Sequence, residues 1–142
     1  MALPDKCIRG IPNDTYLEDG LLVSYNLFPF DKTRCRQDGW VPESINWMDN
    51  ENVIGFTLSQ KKENGEEQFK AGVAILFRDE LDKLKRRTGI TEILDYERSP
   101  LPTNDYHGNI LLRNGISSTL KTMVRSALAL ASEVHLCPKK QT

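Results

Sequence analysis

The sequence predicts an α+β fold, a mainly antiparallel sheet of about four to five strands with two helices packed on one face. Three observations carry that expectation. Segment 53–77, "VIGFTLSQKKENGEEQFKAGVAILF", sets two apolar runs on either side of Asn64-Gly65. The period then changes to a helical one in "RDELDKLKRRTG". A second and longer helical pattern closes the chain in "ISSTLKTMVRSALALASEVHLC".

In chain order, the first 20 residues are rich in turn formers (Gly10, Pro12, Asn13, Asp14, Asp19, Gly20) and read as an extended or irregular segment. "LLVSYNLFPF" (21–30) is β-branched and aromatic and reads as a strand, with Pro29 suited to its edge or end. Residues 31–52 are polar and irregular around an Asp38-Gly39 turn. Pro42 suits the first position of a short helical turn there, and Trp40, Ile45 and Trp47 are the anchors that pin the region to the core.

Asn-Gly is the preferred pair for a two-residue hairpin turn. With Asn64-Gly65 at the tip, Leu58 faces Ala71, Phe56 faces Val73 and Ile54 faces Ile75, so a long hairpin over 53–77 puts its apolar set on one side. A helix over about 79–88 follows. Leu81 and Leu84 lie on its inner side, acids fill its first turn and bases its last, in keeping with the helix dipole. Segments 91–99 and 108–114 read as two further strands. The final helix, about 117–136, is capped by Ser117 or Ser118. It carries Leu120, Met123, Val124, Ala127, Leu128, Ala131 and Val134 on one face. Pro138 ends it, and 138–142 is a polar tail.

At 142 residues, the chain fits a single domain over 1–142. A domain of that size buries roughly two thirds of its unfolded surface and folds without disulfides or metal. Nineteen basic side chains oppose twenty acidic ones. That balance gives no global attraction to nucleic acid or to an anionic membrane. No apolar run approaches the roughly 18 residues of a membrane span. Cys7, Cys35 and Cys137 are odd in number and widely spaced, the pattern of free thiols in a reducing compartment. The start "MALPDKC" lacks the pattern of a signal peptide, so the expected location is cytoplasmic.

Candidate chemistry is sparse. His107, in "PLPTNDYHGNILL", admits two readings. It is either a general base oriented by a carboxylate, with Asp105, Tyr106, Asp95 or Glu97 close by, or the end of a turn that opens a strand. Cys35 lies between Arg34 and Arg36, which favour its thiolate, and a Cys35–His107 pair is conceivable. His135 suits the C-terminal end of a helix on dipole grounds. No histidine spacing marks a metal site, and no glycine-rich phosphate loop or nucleophile-elbow motif occurs, so no metal or cofactor is expected. Lys83, Lys85, Arg86 and Arg87 form the dense basic run, which Arg113, Lys121 and Arg125 would extend into an anion-binding patch. Asp79, Glu80 and Asp82 precede the run, so a solvated helix face is the simpler account. Trp40, Trp47 and Met48 stand in a polar setting and are residue types that interface centres favour.

The functional expectation is a non-catalytic protein-binding or accessory module of a larger bacterial-type assembly. It would act on another protein or through self-association, with no membrane and no nucleic acid as partner. The alternative is a small enzyme, a hydrolase or transferase, with its site around His107.

Overall fold

The computed structural model describes residues 3–18 and 22–137. The expected tail at 138–142 and the turn residues Asp19 and Gly20 lie outside the described residues. The fold is α+β, with a six-stranded antiparallel sheet as its centre. In chain order the main strands are β1 (Lys6–Ile11), β4 (Trp40–Trp47), β5 (Gly72–Phe77), β6 (Leu94–Arg98), β7 (His107–Arg113) and β8 (Glu133–Leu136). Their order across the sheet is β6-β7-β4-β1-β5-β8. The short strands β2 (Leu17–Glu18) and β3 (Leu22–Val23) form a separate pair. The helices are α1 (Asn52–Leu58), α2 (Arg78–Lys85) and α3 (Ser118–Ala131).

Alternation sorts the side chains of the sheet onto two faces. One face holds Cys7, Ile11, Val41, Ile45, Trp47, Ala74, Leu76, Ile110 and Leu112. It packs against Leu81 and Leu84 of α2, Val124 and Leu128 of α3, and the loop residues Leu27, Phe28 and Phe30. The other face is covered only in part. There Ile8, Val73 and Ile75 meet Val53, Ile54 and Leu58 of α1. The helices α2 and α3 thus share one face, as expected, and α1 is an unexpected third helix on the other.

That third helix corrects the expected hairpin over 53–77. Only β5, its second arm, is a strand of the sheet. The first arm is helical because "NVIGFTL" satisfies both periods, and short apolar runs do not distinguish them. Val53 and Thr57, one turn apart, are both buried. Asn50 Oδ1 accepts the Asn52 N–H at 2.9 Å and supports the helix start. The Thr57 hydroxyl donates back to Val53 O at 2.8 Å. The turn is real but smaller. Lys62 N–H donates to Glu66 O at 2.8 Å, and Gly65 takes the left-handed conformation (φ 84°) in a three-residue loop.

Three other expectations change. The turn-rich N-terminal segment contains β1, an interior strand paired with both β4 and β5. Residues 40–47 form β4 rather than a loop with a helical turn. Pro42 is tolerated because β1 joins β4 only at Asn46 and Trp47, leaving the rest of β4 with one neighbouring strand. The expected strand over 21–30 is reduced to β3, after which Ser24 caps a 3-10 turn at Tyr25–Leu27 by accepting the Asn26 N–H. The last helix stops at Ala131. Ser132 turns extended and donates its hydroxyl to Leu128 O at 2.8 Å, and the chain then adds edge strand β8. His135 therefore lies on a strand beside Glu133, at 3.0 Å, and not at a helix end.

Trp47 shows how tightly β4 and β7 approach. Its indole N–H crosses Gly108 to donate to Glu97 O at 3.0 Å. A Cβ on Gly108 would stand 2.3 Å from that nitrogen, so only glycine fits.

Candidate functional site

His107 lies on the partly covered face, at the wall of a cavity of about 220 Å³. The β4–β7 register sets Asn46 opposite His107 and Ser44 two residues further along β4. The ring's Nδ1–H donates to the Ser99 carbonyl at 2.7 Å, which leaves Nε2 to accept from the Ser44 hydroxyl at 3.2 Å. Behind them runs a buried amide chain. Asn104 Nδ2 donates to Asn46 Oδ1 at 2.8 Å, and Asn46 Nδ2 donates to Thr57 Oγ1 at 2.8 Å. Asn104 Oδ1 also accepts the Tyr106 N–H, so the 100–107 loop is tied to β4 and α1 together.

The other residues expected around His107 are engaged elsewhere. The Glu97 carboxylate pairs with Arg36. Asp95 pairs with Lys85 at 2.8 Å. Asp105 is exposed, and its backbone carbonyl accepts from Arg98. The Tyr106 ring packs edge-on against Phe56, with centroids 5.2 Å apart. Cys35 donates weakly to Arg36 O at 3.4 Å. The histidine is thus oriented by a backbone carbonyl, with neither a carboxylate nor a thiol as partner. Among the described residues, no three His, Cys, Asp or Glu side chains gather as a metal site would require.

The expected interface aromatics are placed differently again. Trp47 is fully buried and belongs to the core, so it cannot contact a partner. Trp40 is half-buried under the Arg113 guanidinium, 4.1 Å from its ring. Met48 packs beside the α1 cluster. The exposed apolar surface lies elsewhere. Of six exposed large apolar side chains among the described residues, Leu22, Tyr25, Met123, Leu130 and Leu136 belong to β3, the following 3-10 turn, α3 and β8; Leu101 stands apart. Leu130 is 74% exposed, which is extreme for a leucine in a helix. Leu22, Tyr25, Ser126, Ala129 and Leu130 line a cleft of about 200 Å³. Leu136 shares a strand face with Val134, which packs on the main core on the α3 side.

The expected basic patch is also dispersed. Lys83 pairs with Glu80, and Lys85 pairs with Asp95 and sits over the Tyr96 ring. Arg86 and Arg87 are exposed. Arg125 donates to Phe28 O at 2.8 Å and covers Tyr25. Lys32, Arg113 and Lys121 line a cavity of about 340 Å³ with Phe30, Val41, Leu112 and Ile116. Lys121 Nζ donates to Phe30 O at 2.8 Å, and Arg113 donates to Asp38 O at 2.9 Å. Phe30 is the single non-glycine with a positive φ (45°) among the described residues. Glu43 accepts its N–H while Lys121 holds its carbonyl, so a strained backbone is gripped from both sides.

Sequence reasoning missed Ser44, Lys32 and Leu130. For Leu130 a signal existed. It lies two positions from Leu128, about 200° around a helix, and seven from Met123, which returns to the same stripe. Met123, expected on the core-facing side, is instead exposed, as is Leu130. Ser44 and Lys32 carry no local signal, because only strand register and loop path bring them to their sites.

Comparison with protein-family models, with curated proteins and with solved structures finds no match to this chain. Among the described residues no helix is long and apolar enough to cross a membrane.

Proposed function

We propose that this chain is a protein-binding module, an accessory component that acts by contacting another protein and not through a catalytic centre. One observation carries the reading: five exposed large apolar side chains concentrate around α3, β3 and β8, with a cleft between two of these elements. Isolated surface leucines need no explanation, but Leu22, Tyr25 and Leu130 share the wall of one cleft, and exposed apolar side chains gathered at a cleft favour an interaction site. Leu130 cannot be accounted for by the fold, since α3 already buries Val124, Leu128 and Ala129. The rim is mixed in charge, with Glu18 at the cleft and Arg125 over Tyr25.

The test is Leu130→Glu beside wild type and His107→Ala. Capture from the native host and solution mass are measured after equal melting temperatures have been established. A partner, or a dimer, that is held by wild type and His107→Ala but lost by Leu130→Glu supports the reading. Capture that Leu130→Glu leaves unchanged sinks it.

The Ser44–His107 contact favours a second reading, a small esterase in which Nε2 takes the Ser44 proton as Oγ adds to an ester carbonyl, returns it to the departing alcohol as the ester C–O bond breaks, and then activates a water that releases the acid and restores Ser44. Hydrolysis of p-nitrophenyl acetate decides that point. Turnover that Ser44→Ala does not reduce removes it.

A further inference from the structure

We propose that the partner of the exposed apolar surface is a second copy of this chain, docked antiparallel along the outward face of α3. The proposal rests on the protein-binding reading above and names the partner that reading leaves open.

The outward face of α3 is set apart by what it lacks. The helix buries Val124, Leu128 and Ala129. A rotation of about 100° per residue puts Thr119, Thr122, Met123, Ser126 and Leu130 on the side away from Val124 and Leu128. Four of these five are exposed, and Ser126 is half-buried. None is charged, whereas the solvent side of an amphipathic helix ordinarily carries charged residues. The helix has no acid, and its two cations lie on its flank. There Lys121 donates to Phe30 O at 2.8 Å, and Arg125 donates to Phe28 O at 2.8 Å and covers the Tyr25 ring.

Two features of that face favour a second copy over an unlike partner. The first is spacing. Thr119, Met123, Ser126 and Leu130 follow one another at intervals of four, three and four residues, the spacing of a coiled-coil seam. The order of intervals is the same from either end. An antiparallel copy, related by a two-fold axis beside Val124 and Arg125, therefore meets the seam in register. Leu130 then faces Thr119 of the partner subunit, and Met123 faces Ser126 of the partner subunit. Large residues meet small ones in both halves of the contact, as close packing of side chains requires. The second feature is charge. A two-fold axis brings side chains near it toward their own counterparts, so an ion there would meet its like. This seam has no ion to repel its copy and none to steer a charged partner.

The helix does not act alone. At 14 residues it is about 21 Å long, and its face falls short of the roughly 800 Å² per partner that a stable interface covers. Leu22 and Tyr25, which share a cleft with Ser126 and Leu130, extend the apolar contact beyond α3.

The experiment is sedimentation velocity of the full chain from low to high micromolar concentration. It compares wild type, Leu130→Glu and the double variant Thr119→Lys/Leu130→Glu. Both positions are exposed, so the replacements leave folding intact, which far-UV circular dichroism checks. Wild type is expected to form a dimer, and Leu130→Glu to weaken it about tenfold or more by placing a charge in an apolar contact. Positions 119 and 130 are eleven residues apart on one helix, so the two introduced charges meet only across the antiparallel pair. The double variant is therefore expected to recover about tenfold over Leu130→Glu. A dimer that Leu130→Glu leaves unchanged, or a double variant no tighter than Leu130→Glu, overturns the antiparallel seam. Wild type that stays monomeric at every concentration overturns the second copy. In that event, a host protein captured by wild type and lost by Leu130→Glu keeps the protein-binding reading, and no such protein removes both.

Discussion

Two sets of cations in this molecule contrast sharply. The run on α2 is dense in sequence, yet Lys83 and Lys85 spend their charge on Glu80 and Asp95. Lys32 and Lys121 lie far apart in the sequence, yet they line one cavity, Lys121 held by the Phe30 carbonyl and Lys32 left to solvent. Density of like charge in a sequence is therefore a poor guide to positive potential. What matters is the charge that remains after each cation has found its partner, and partners are assigned by the fold.

The largest way to break this contrast lies in the Arg9–Glu43 pair, an extreme of the answered kind. Glu43 is 4% exposed and its carboxylate meets Arg9 at 2.9 Å while also accepting the Phe30 N–H. Glu43→Gln leaves a nearly enclosed guanidinium without its counter-charge. A loss of about 3 kcal/mol or more in denaturant unfolding is expected. A loss below about 1 kcal/mol would mean that the carbonyls of Leu27 and Ser44, which also bind Arg9, suffice on their own.

Comparable in size, but confined to alkaline pH, is the effect of a group with no answering charge at all. Burial pushes the Cys7 thiol from 9.0 up to about 12. The unfolded chain then ionises first as pH rises, so the contribution is whole below pH 9 and lost as pH climbs toward 12. Stability should fall by about 1.4 kcal/mol per pH unit in that window from this group. Melting curves across alkaline pH check it, and Cys7→Ala should flatten the decline. Tyr96, raised to about 12 by burial and by donating to Asp82, adds a parallel loss above pH 10, which the Cys7→Ala curve retains.

Lys121→Met tests the carbonyl-held kind. It removes one charge-assisted hydrogen bond and loosens Phe30, for an expected cost of about 1–2 kcal/mol. Raised salt should leave most of that cost in thermal melts, since the hydrogen bond is to a carbonyl and Asp31 acts on Lys121 only as a weaker charge. The smallest effect belongs to α2. Lys83→Ala should change stability by less than about 0.5 kcal/mol, because an exposed pair at i, i+3 is worth little. A larger loss by chemical denaturation would overturn the reading of that run as a solvated face.

Much of the fold was legible where local signal and tertiary context agree. The helix α2 has acids in its first turn and bases in its last, and its buried leucines fall on one side. The strands β6 and β7 also lie where their patterns put them. The failures share a cause. Residues 53–58 satisfy both periods, so only packing on Ile8, Val73 and Ile75 decides for helix. Strand β1 hides among glycines and prolines because Gly10 must be bare to admit the Phe69 ring, 2.1 Å from where a Cβ would stand. The candidate sites were harder to read than the elements. His107 was visible as a residue, but Ser44 became its partner only through the β4–β7 register. The cavity cations depend on how a 3-10 turn, the end of β7 and the start of α3 come together, and no window of sequence contains all three.

The interior position of β1 has a consequence for how the molecule is made. Its partner β5 lies roughly sixty to seventy residues further along the chain, and the sheet has no other continuous route across its middle. A nascent chain extended only as far as β4 holds two of the six strands, with β1 offering a bare edge where β5 belongs. At about 5–20 residues per second, that edge waits several seconds for β5 to arrive. Such long-range pairing folds slowly. Over this interval the chain is most open to mispairing with its neighbours on a polysome, and the tempo of translation between β4 and β5 becomes a determinant of yield.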